Sequence, residues 1–412
     1  MNRTLSPDTP NSLPRRRMLA GSAGALAAAG LAGWSSGALS QTVSAVPAAA
    51  TPLPPYANWK NAKALIIHSN NTMETKRSAY GTSVITPSEQ LYVRNNLPPP
   101  DASIVANADA WSVSIEGVKN PRSFTVGELK TMGLETTTMV LQCSGNGRRW
   151  FPSKPSGTQW GVGAAGCVVW SGVSLRAVVE ALGGPVEGMP FLTSTGGEVL
   201  PEGIDPKTIM VERSVDAAAM EDSLLAWELN GEPIPLAHGG PLRMVVPGYT
   251  GVNSVKYVKK VAFTAKESEA RIMANSYRLT PLGEKGGPDK PSVQVMPVKS
   301  WINSPLPEDG TLKAGIAQIT GVAFGGLHAV KGVEVSIDGG KSWKPARFIG
   351  PDMGKYAWRQ FVLQADLSAG THVLASRATD TAGVVQPKER VENVRGYNNN
   401  SWLDHAIEVA VA

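Results

Sequence analysis

The sequence predicts an α+β protein: a domain of mixed strands and short helices, then a β-sandwich of the immunoglobulin-like kind. Three observations predict it. The 43 Gly and 31 Pro are scattered along 412 residues, which disfavours long helical bundles and punctuates short strands and turns. Residues 59–280 alternate strand-like runs with turns and a few short helical patterns. Roughly the last 120 residues carry strands at turn-spaced intervals with almost no helical periodicity.

The chain opens with RRRMLAGSAGALAAAGLAGW after Pro14, and no charged residue follows Arg17 until Lys60. A basic cluster followed by an Ala/Gly-rich apolar stretch is a secretory leader. Arg15, Arg16, Arg17, Met18 and Leu19 resemble a twin-arginine leader, expected over 1–45 and cleaved between Ser40 and Ala50. The stretch breaks into Ser and Gly by Ser35, short of the roughly 20 strongly apolar residues of a stable span, so a soluble periplasmic mature protein without a membrane span is expected.

WSVSIEG (111–117) alternates as a half-buried strand, and TTTMVLQC (136–143) is a β-branched strand that brings Cys143 to a strand end. Ser174 opens a helix whose apolar stripe is Leu175, Val178, Val179 and Leu182, and Gly183 and Gly184 end it. The Gly/Pro/charge-rich stretch 282–292 reads as a linker, with a domain boundary near 290. Beyond it GIAQITGVAF, GVEVSIDGGKSW, WRQFVLQADL and THVLASRATD are the sandwich strands, with a hairpin turn at Asp338 and Gly339. A domain of this kind is expected to bind or assemble rather than catalyse.

Charge and composition exclude several functions. Arg3, Arg15, Arg16 and Arg17 against Asp8 place +3 of the formal +5 in the first 45 residues. The remaining body is near neutral, which excludes the phosphate-neutralising surface that nucleic acid needs. Two cysteines and five well-separated histidines cannot build a zinc finger, an iron–sulfur cluster or a C-x-x-C-H haem site.

Four segments carry chemistry. LQCSGNGRRW sets the soft Cys143 thiol beside glycine-rich backbone and Arg148, the surroundings a sulfur-preferring metal needs. LYVRNNLPPP fixes Arg94 against a rigid proline turn, and HGGPLRMVVPGYTGVNSVKY gathers His238, Arg243 and Lys256 as donors for an anionic group such as a phosphate. ANSYRLTP places the Tyr277 phenol just before the linker. Singly each has a bland reading: a buried small hydrophobe, a surface arginine, a solvated edge strand, a tyrosine sealing a domain junction.

Jointly, their order and spacing resemble the sulfite oxidase family of molybdenum enzymes, and periplasmic bacterial sulfite dehydrogenases in particular. The resemblance implies a molybdenum-molybdopterin cofactor in a catalytic domain over 46–285, and an immunoglobulin-like dimerisation domain over 290–412. It implies Cys143, in LQC-x-GN-x-R, as the one protein ligand to molybdenum. Arg94, Arg148 and Tyr277 match the substrate-facing residues, and Trp160 in TQWGVGA matches a pocket tryptophan. Tyr92, Val93, Arg94, Asn95 and Asn96, with His238, Arg243, Ser254, Val255 and Lys256, match positions that hold the cofactor. Asn96 stands where many members have histidine, and no cytochrome b5-like haem domain is present. The resemblance therefore implies sulfite as substrate, a separate cytochrome c as electron acceptor, and a homodimer. Nitrate reductase-like and sulfane dehydrogenase-like chemistry on the same cofactor stay open. A non-catalytic secreted scaffold is the alternative of another class, against which the joint presence of Cys143, Arg94, Arg148 and Tyr277 speaks.

Overall fold

The computed structural model describes residues 52–412; the expected leader lies outside the described residues. None of the described helices is long and apolar enough to cross a membrane.

A three-stranded antiparallel sheet of Leu65–Ser69, Thr72–Thr75 and Val93–Arg94 and two five-stranded sheets build the part of the described chain before the sandwich. In one five-stranded sheet, Glu135–Gln142 pairs antiparallel with Ala165–Ser174, which pairs with Leu224–Leu229, and the short strand Arg243–Val245 adds to Leu224–Leu229. The other runs Arg122–Thr125, Ser112–Glu116, Val258–Thr264, Phe191–Gly196 and Glu212–Asp216, with the 112 and 258 strands parallel. The expected strands at 111–117 and 136–143 are thus both present, and each strand interior is apolar: Val113, Ile115, Met139, Val140 and Leu141 are buried.

The expected helix is Leu175–Ala181, with Leu175, Val178 and Val179 in the core. Gly183 and Gly184 end it at φ +84° and +86°, their amides donating to Glu180 O and Val179 O. That left-handed backbone suits glycine. Ser174 makes no side-chain cap; instead the Leu175 amide donates to Ser223 O at 2.9 Å.

The last third is a sandwich of two four-stranded antiparallel sheets. Lys299–Ser304, Gly315–Phe324, Arg359–Leu367 and Arg347–Ile349 form one sheet; Lys344–Pro345, Val330–Ser336, Gly370–Asp380 and Ile407–Val411 form the other. Ile302, Ile319, Val333, Phe361, Leu374 and Val409 fill the space between them. At the hairpin, Asp338 accepts from Ser336 Oγ, Ser342 Oγ and the Lys341 and Ser342 amides, which hold its carboxyl well below the ordinary range.

The stretch 282–292 folds back on the body it leaves. The Leu279 amide donates to Pro291 O, and Arg278 donates to Lys290 O. The sandwich and the first half also share a core of Tyr80, Val140, Cys167, Trp301, Phe324 and Trp358. Trp358 Nε1 donates to Val84 O at 2.6 Å and Tyr80 OH to Ala165 O at 2.7 Å. The described residues accordingly form one compact unit.

Lys299, buried at the base of the sandwich, donates only a long 3.3 Å bond to Asn146 O, and burial pulls its pKa down to about 7. An unfolded lysine stays protonated to about pH 10. Below pH 7 both states carry the charge and the folded state bears the full burial penalty; from about 7 to 10 the unfolded state alone holds the proton, so folding stability gains as pH rises. Lys299→Met is therefore expected to melt above wild type at about pH 6, with the advantage shrinking by about pH 9.5. A melting-temperature difference independent of pH, in thermal unfolding across that range, contradicts the buried charge.

Candidate active site

The Glu135–Gln142 strand delivers Cys143, and the loop that follows returns antiparallel to itself. The Cys143 amide donates to Ala164 O at 2.9 Å, the Gly147 amide to Gly161 O at 2.7 Å, and the Arg149 amide to Trp160 O at 3.1 Å. This loop is pressed onto the neighbouring strand at Gly163, where a Cβ would stand 1.8 Å from Thr75 O. The Thr75 amide donates to Gly163 O at 3.1 Å, so any side chain there breaks the seam. Both cysteines are free and buried. Burial pushes the Cys167 thiol up to about 12, leaving it an inert core residue.

Two cavities meet at Cys143, and Arg94, Asn96 and Tyr277 also line both. The inner one is further lined by Tyr92, Asn95, His238, Arg243, Ser254, Val255 and Lys256. Of the ten residues matched to cofactor-holding positions, Val93 alone does not line it: its side chain packs with Ala57, Leu65, Met73 and Ala237.

The inner cavity is cationic. Arg243, in its strand, donates to His238 O at 2.7 Å and Ser254 O at 3.2 Å and lies 5.0 Å from the Trp170 ring centroid. Burial lowers its pKa to about 10, still charged at neutral pH. Lys256 donates to Asn95 Oδ1 and Ala237 O, and burial, then Arg243, lowers its pKa well below the lysine range. Gly239 makes room for it at φ +98°, where a Cβ would lie 2.7 Å from the Lys256 side chain. Burial, then Lys60, Lys256 and Arg243, holds His238 well below the ordinary histidine value, so the ring is neutral. The one carboxylate among the lining residues is Glu198, which burial raises to about 7.

Such a set of buried donors, with Glu198 as the one carboxylate beside it, is costly unless an anion completes it. It fits the phosphate of a molybdopterin, with Cys143 as the thiolate toward molybdenum. Among the described residues no group of three or more His, Cys, Asp or Glu side chains could hold a metal.

The outer cavity is lined by four arginines, Arg94, Arg148, Arg271 and Arg395, and by no carboxylate. Arg148 donates through Nε to Arg395 O at 2.8 Å and through Nη1 to Thr158 O at 3.0 Å, leaving Nη2 without a protein partner among the described residues. Gly145 permits this: a Cβ there would lie 2.4 Å from Nη2. Burial works against the Arg94 charge, but Tyr277 and Cys143 more than offset it, and its pKa lies above the ordinary arginine value. Asn96 supplies Oδ1 as the acceptor for the Arg94 guanidinium, a neutral acceptor where histidine is usual in the resembled turn. Trp160 closes the wall beneath, edge-on to Tyr92 at 6.3 Å and to His68 at 5.2 Å.

Sequence reasoning missed Arg271, Arg395, Tyr397, Lys60 and Glu198. Arg395 and Tyr397 come from the end of the chain, in the part expected only to assemble. Lys60 sits behind His238, its Nζ 2.7 Å from Nε2 and donating to Ser88 O and Leu91 O. The one signal in the sequence for it was that it is the first charge after the leader.

Residues 98–272 match the oxidoreductase molybdopterin binding domain and residues 290–410 the Mo-co oxidoreductase dimerisation domain. The chain is 33% identical over 360 residues to a sulfite oxidase of Arabidopsis thaliana, covering 80% of this chain and 89% of that protein. It is 33% identical over 344 residues to a sulfite oxidase of Gallus gallus, covering 77% and 72%. Among solved structures, the sulfane dehydrogenase SoxCD of Paracoccus pantotrophus aligns with a TM-score of 0.70 at 26% identity, over 90% of this chain and 96% of that one. With a cationic inner cavity and a cysteine at its mouth, the chain belongs to the sulfite oxidase family of molybdopterin oxidoreductases, and its cofactor is molybdenum-molybdopterin.

Proposed function

We propose that the protein oxidises sulfite to sulfate in the periplasm and passes the electrons to a separate cytochrome c. The observation that carries this reading is the outer cavity: four arginines and no carboxylate around Cys143. A small dianion is the ligand that such a pocket holds, and forked guanidinium donors grip oxyanion oxygens as ammonium groups cannot. The balance is sulfite plus water giving sulfate, two protons and two electrons. When bound, the molybdenum centre supplies the oxygen transfer and accepts the electron pair. The chain binds and orients: Arg94 and Arg148 hold the substrate oxygens, the Tyr277 hydroxyl donates a hydrogen bond at the junction of the two cavities, and Trp160 excludes water from below.

The likeness to a sulfane dehydrogenase favours a second reading, oxidation of a sulfane sulfur in the same pocket, and nitrate is a third oxyanion the arginines could take. Steady-state assays of the holoenzyme with sulfite, a sulfane-sulfur donor and nitrate decide. Sulfite turnover with ferricytochrome c as acceptor is expected to exceed the others; absent sulfite turnover overturns the reading. Arg148→Gln is expected to lower kcat/KM for sulfite roughly 10- to 100-fold, mostly through KM, with molybdenum content unchanged, since one charge-assisted contact is lost. Unchanged kinetics would remove Arg148 from the substrate pocket.

Two further proposals concern the whole protein. Export through the twin-arginine route predicts that lysine at both Arg15 and Arg16 stops periplasmic accumulation, measured by fractionation. Assembly as a homodimer through residues 290–412 predicts twice the chain mass by light scattering at micromolar concentration, and a monomer refutes it.

A further inference from the structure

We propose that Tyr397, reaching the site from the sandwich end of the chain, is a positioning residue that sets the ring of Tyr277 and backs the guanidinium of Arg148. The proposal rests on the reading above of Arg148 and Tyr277 as substrate-facing groups. The Tyr397 and Tyr277 rings are stacked, 5.0 Å between centroids and 11° between planes. The Arg148 guanidinium carbon lies 5.3 Å from the Tyr397 centroid, and that of Arg213 lies 5.5 Å from the Tyr277 centroid. Two cations and two phenols thus form one connected stack. Aromatic pairs and cation–π contacts of this geometry fix ring planes as well as adding attraction.

Every other contact of Tyr397 makes it an anchor rather than a mobile neighbour. Its hydroxyl donates to Ser276 O at 2.9 Å, pinning the backbone just before Tyr277. Asn393 clamps its main chain: the Tyr397 amide donates to Asn393 Oδ1 at 2.9 Å, and Asn393 Nδ2 donates to Tyr397 O at 3.0 Å. The next two residues are bolted to the cysteine loop, the Asn398 amide donating to Ser144 O at 2.9 Å and Asn399 Nδ2 to Gly147 O at 2.9 Å. Burial keeps the phenol protonated, so it offers a ring and a hydrogen bond, not a charge. Tyr277 has no comparable tether of its own: its hydroxyl donates to no protein acceptor among the described residues, so packing alone sets its plane. Arg148, by contrast, retains its bonds to Arg395 O and Thr158 O whatever occupies position 397.

That asymmetry predicts how a substitution fails. Tyr397→Leu removes the stack and the hydroxyl; Tyr397→Phe removes the hydroxyl alone. With the wild type's own best substrate among sulfite, a sulfane-sulfur donor and nitrate, Tyr397→Leu is expected to lose roughly 10- to 100-fold in kcat, as misplacement of a reacting-site group does, with KM changed less than about threefold. Sulfate dissociation, followed by tryptophan fluorescence because Trp160 lines the cavity, should stay within about threefold of wild type. Tyr397→Phe should keep kcat within about threefold. Molybdenum content and melting temperature are measured on both, so that a kcat loss is counted only at full metal loading. Absence of sulfite turnover in the wild type sinks the sulfite reading alone. Wild-type kcat in Tyr397→Leu, an equal loss in both variants, or a loss confined to KM and sulfate binding each overturns the role of the stack.

Discussion

Cys143→Ser is expected to abolish turnover, down to the background of cofactor-free protein, while the pterin stays bound. Serine keeps the size of the side chain at the strand end but replaces a soft thiolate with a hard hydroxyl, which does not deprotonate at neutral pH to ligate a metal. On the proposed assignment, Arg243, Lys256 and His238 in the inner cavity would hold the rest of the cofactor independently of Cys143. Released pterin, measured by fluorescence after denaturation, should therefore match wild type, and the loss should appear wholly in kcat. Retained activity in this variant would show that the cysteine at the meeting of the two cavities is not the metal's ligand.

Arg243→Gln is expected to fail in the opposite way, by losing the cofactor. The guanidinium is buried, charged, and bonded to His238 O and Ser254 O at once. A glutamine is too short to serve both carbonyls, and each buried acceptor left unpaired costs about 1–3 kcal/mol. The cavity also loses a cation that would bind the cofactor's phosphate. Molybdenum per chain should fall more than roughly tenfold, a factor that only about 1.4 kcal/mol of weakened binding produces, and activity should fall in proportion. Metal analysis of the purified variant checks this; full molybdenum with normal melting would free Arg243 from the cofactor.

Much of the fold was readable because it is local. Strands at 112–116 and 135–142 announce themselves by alternation or by a β-branched run, and the Leu175–Ala181 helix by its stripe and its two terminal glycines. Pairing was not readable. The parallel register of Val258–Thr264 with Ser112–Glu116 joins segments far apart in sequence, and no residue in either declares its partner. The same division holds at the site. Cys143, Arg94, Arg148, Arg243 and Lys256 sit in compact segments whose residue types already state a chemistry. Arg395 and Tyr397 sit in VENVRGYNNN, which reads as a polar connection between strands. Only the fold-back of that connection onto the cysteine loop gives them a purpose. Glu198 was hidden for a related reason: an acid in a glycine-rich loop looks solvated until burial and Lys256 show otherwise.

The bolting of residues 393–399 to the cysteine loop has a practical corollary for anyone wishing to redirect the enzyme. The residues lining the inner cavity and those contributed by the chain's last stretch are on different pieces of covalent structure, joined by hydrogen bonds to main-chain atoms such as Ser144 O and Gly147 O and by the contacts of Tyr397 with Tyr277 and Arg148. Main-chain acceptors are indifferent to the identity of the side chains opposite them. A short heptapeptide transplant from a relative with another substrate, keeping Asn393, Asn398 and Asn399 as its fasteners, would exchange the roof over the arginine pocket while leaving the cofactor's own cradle untouched.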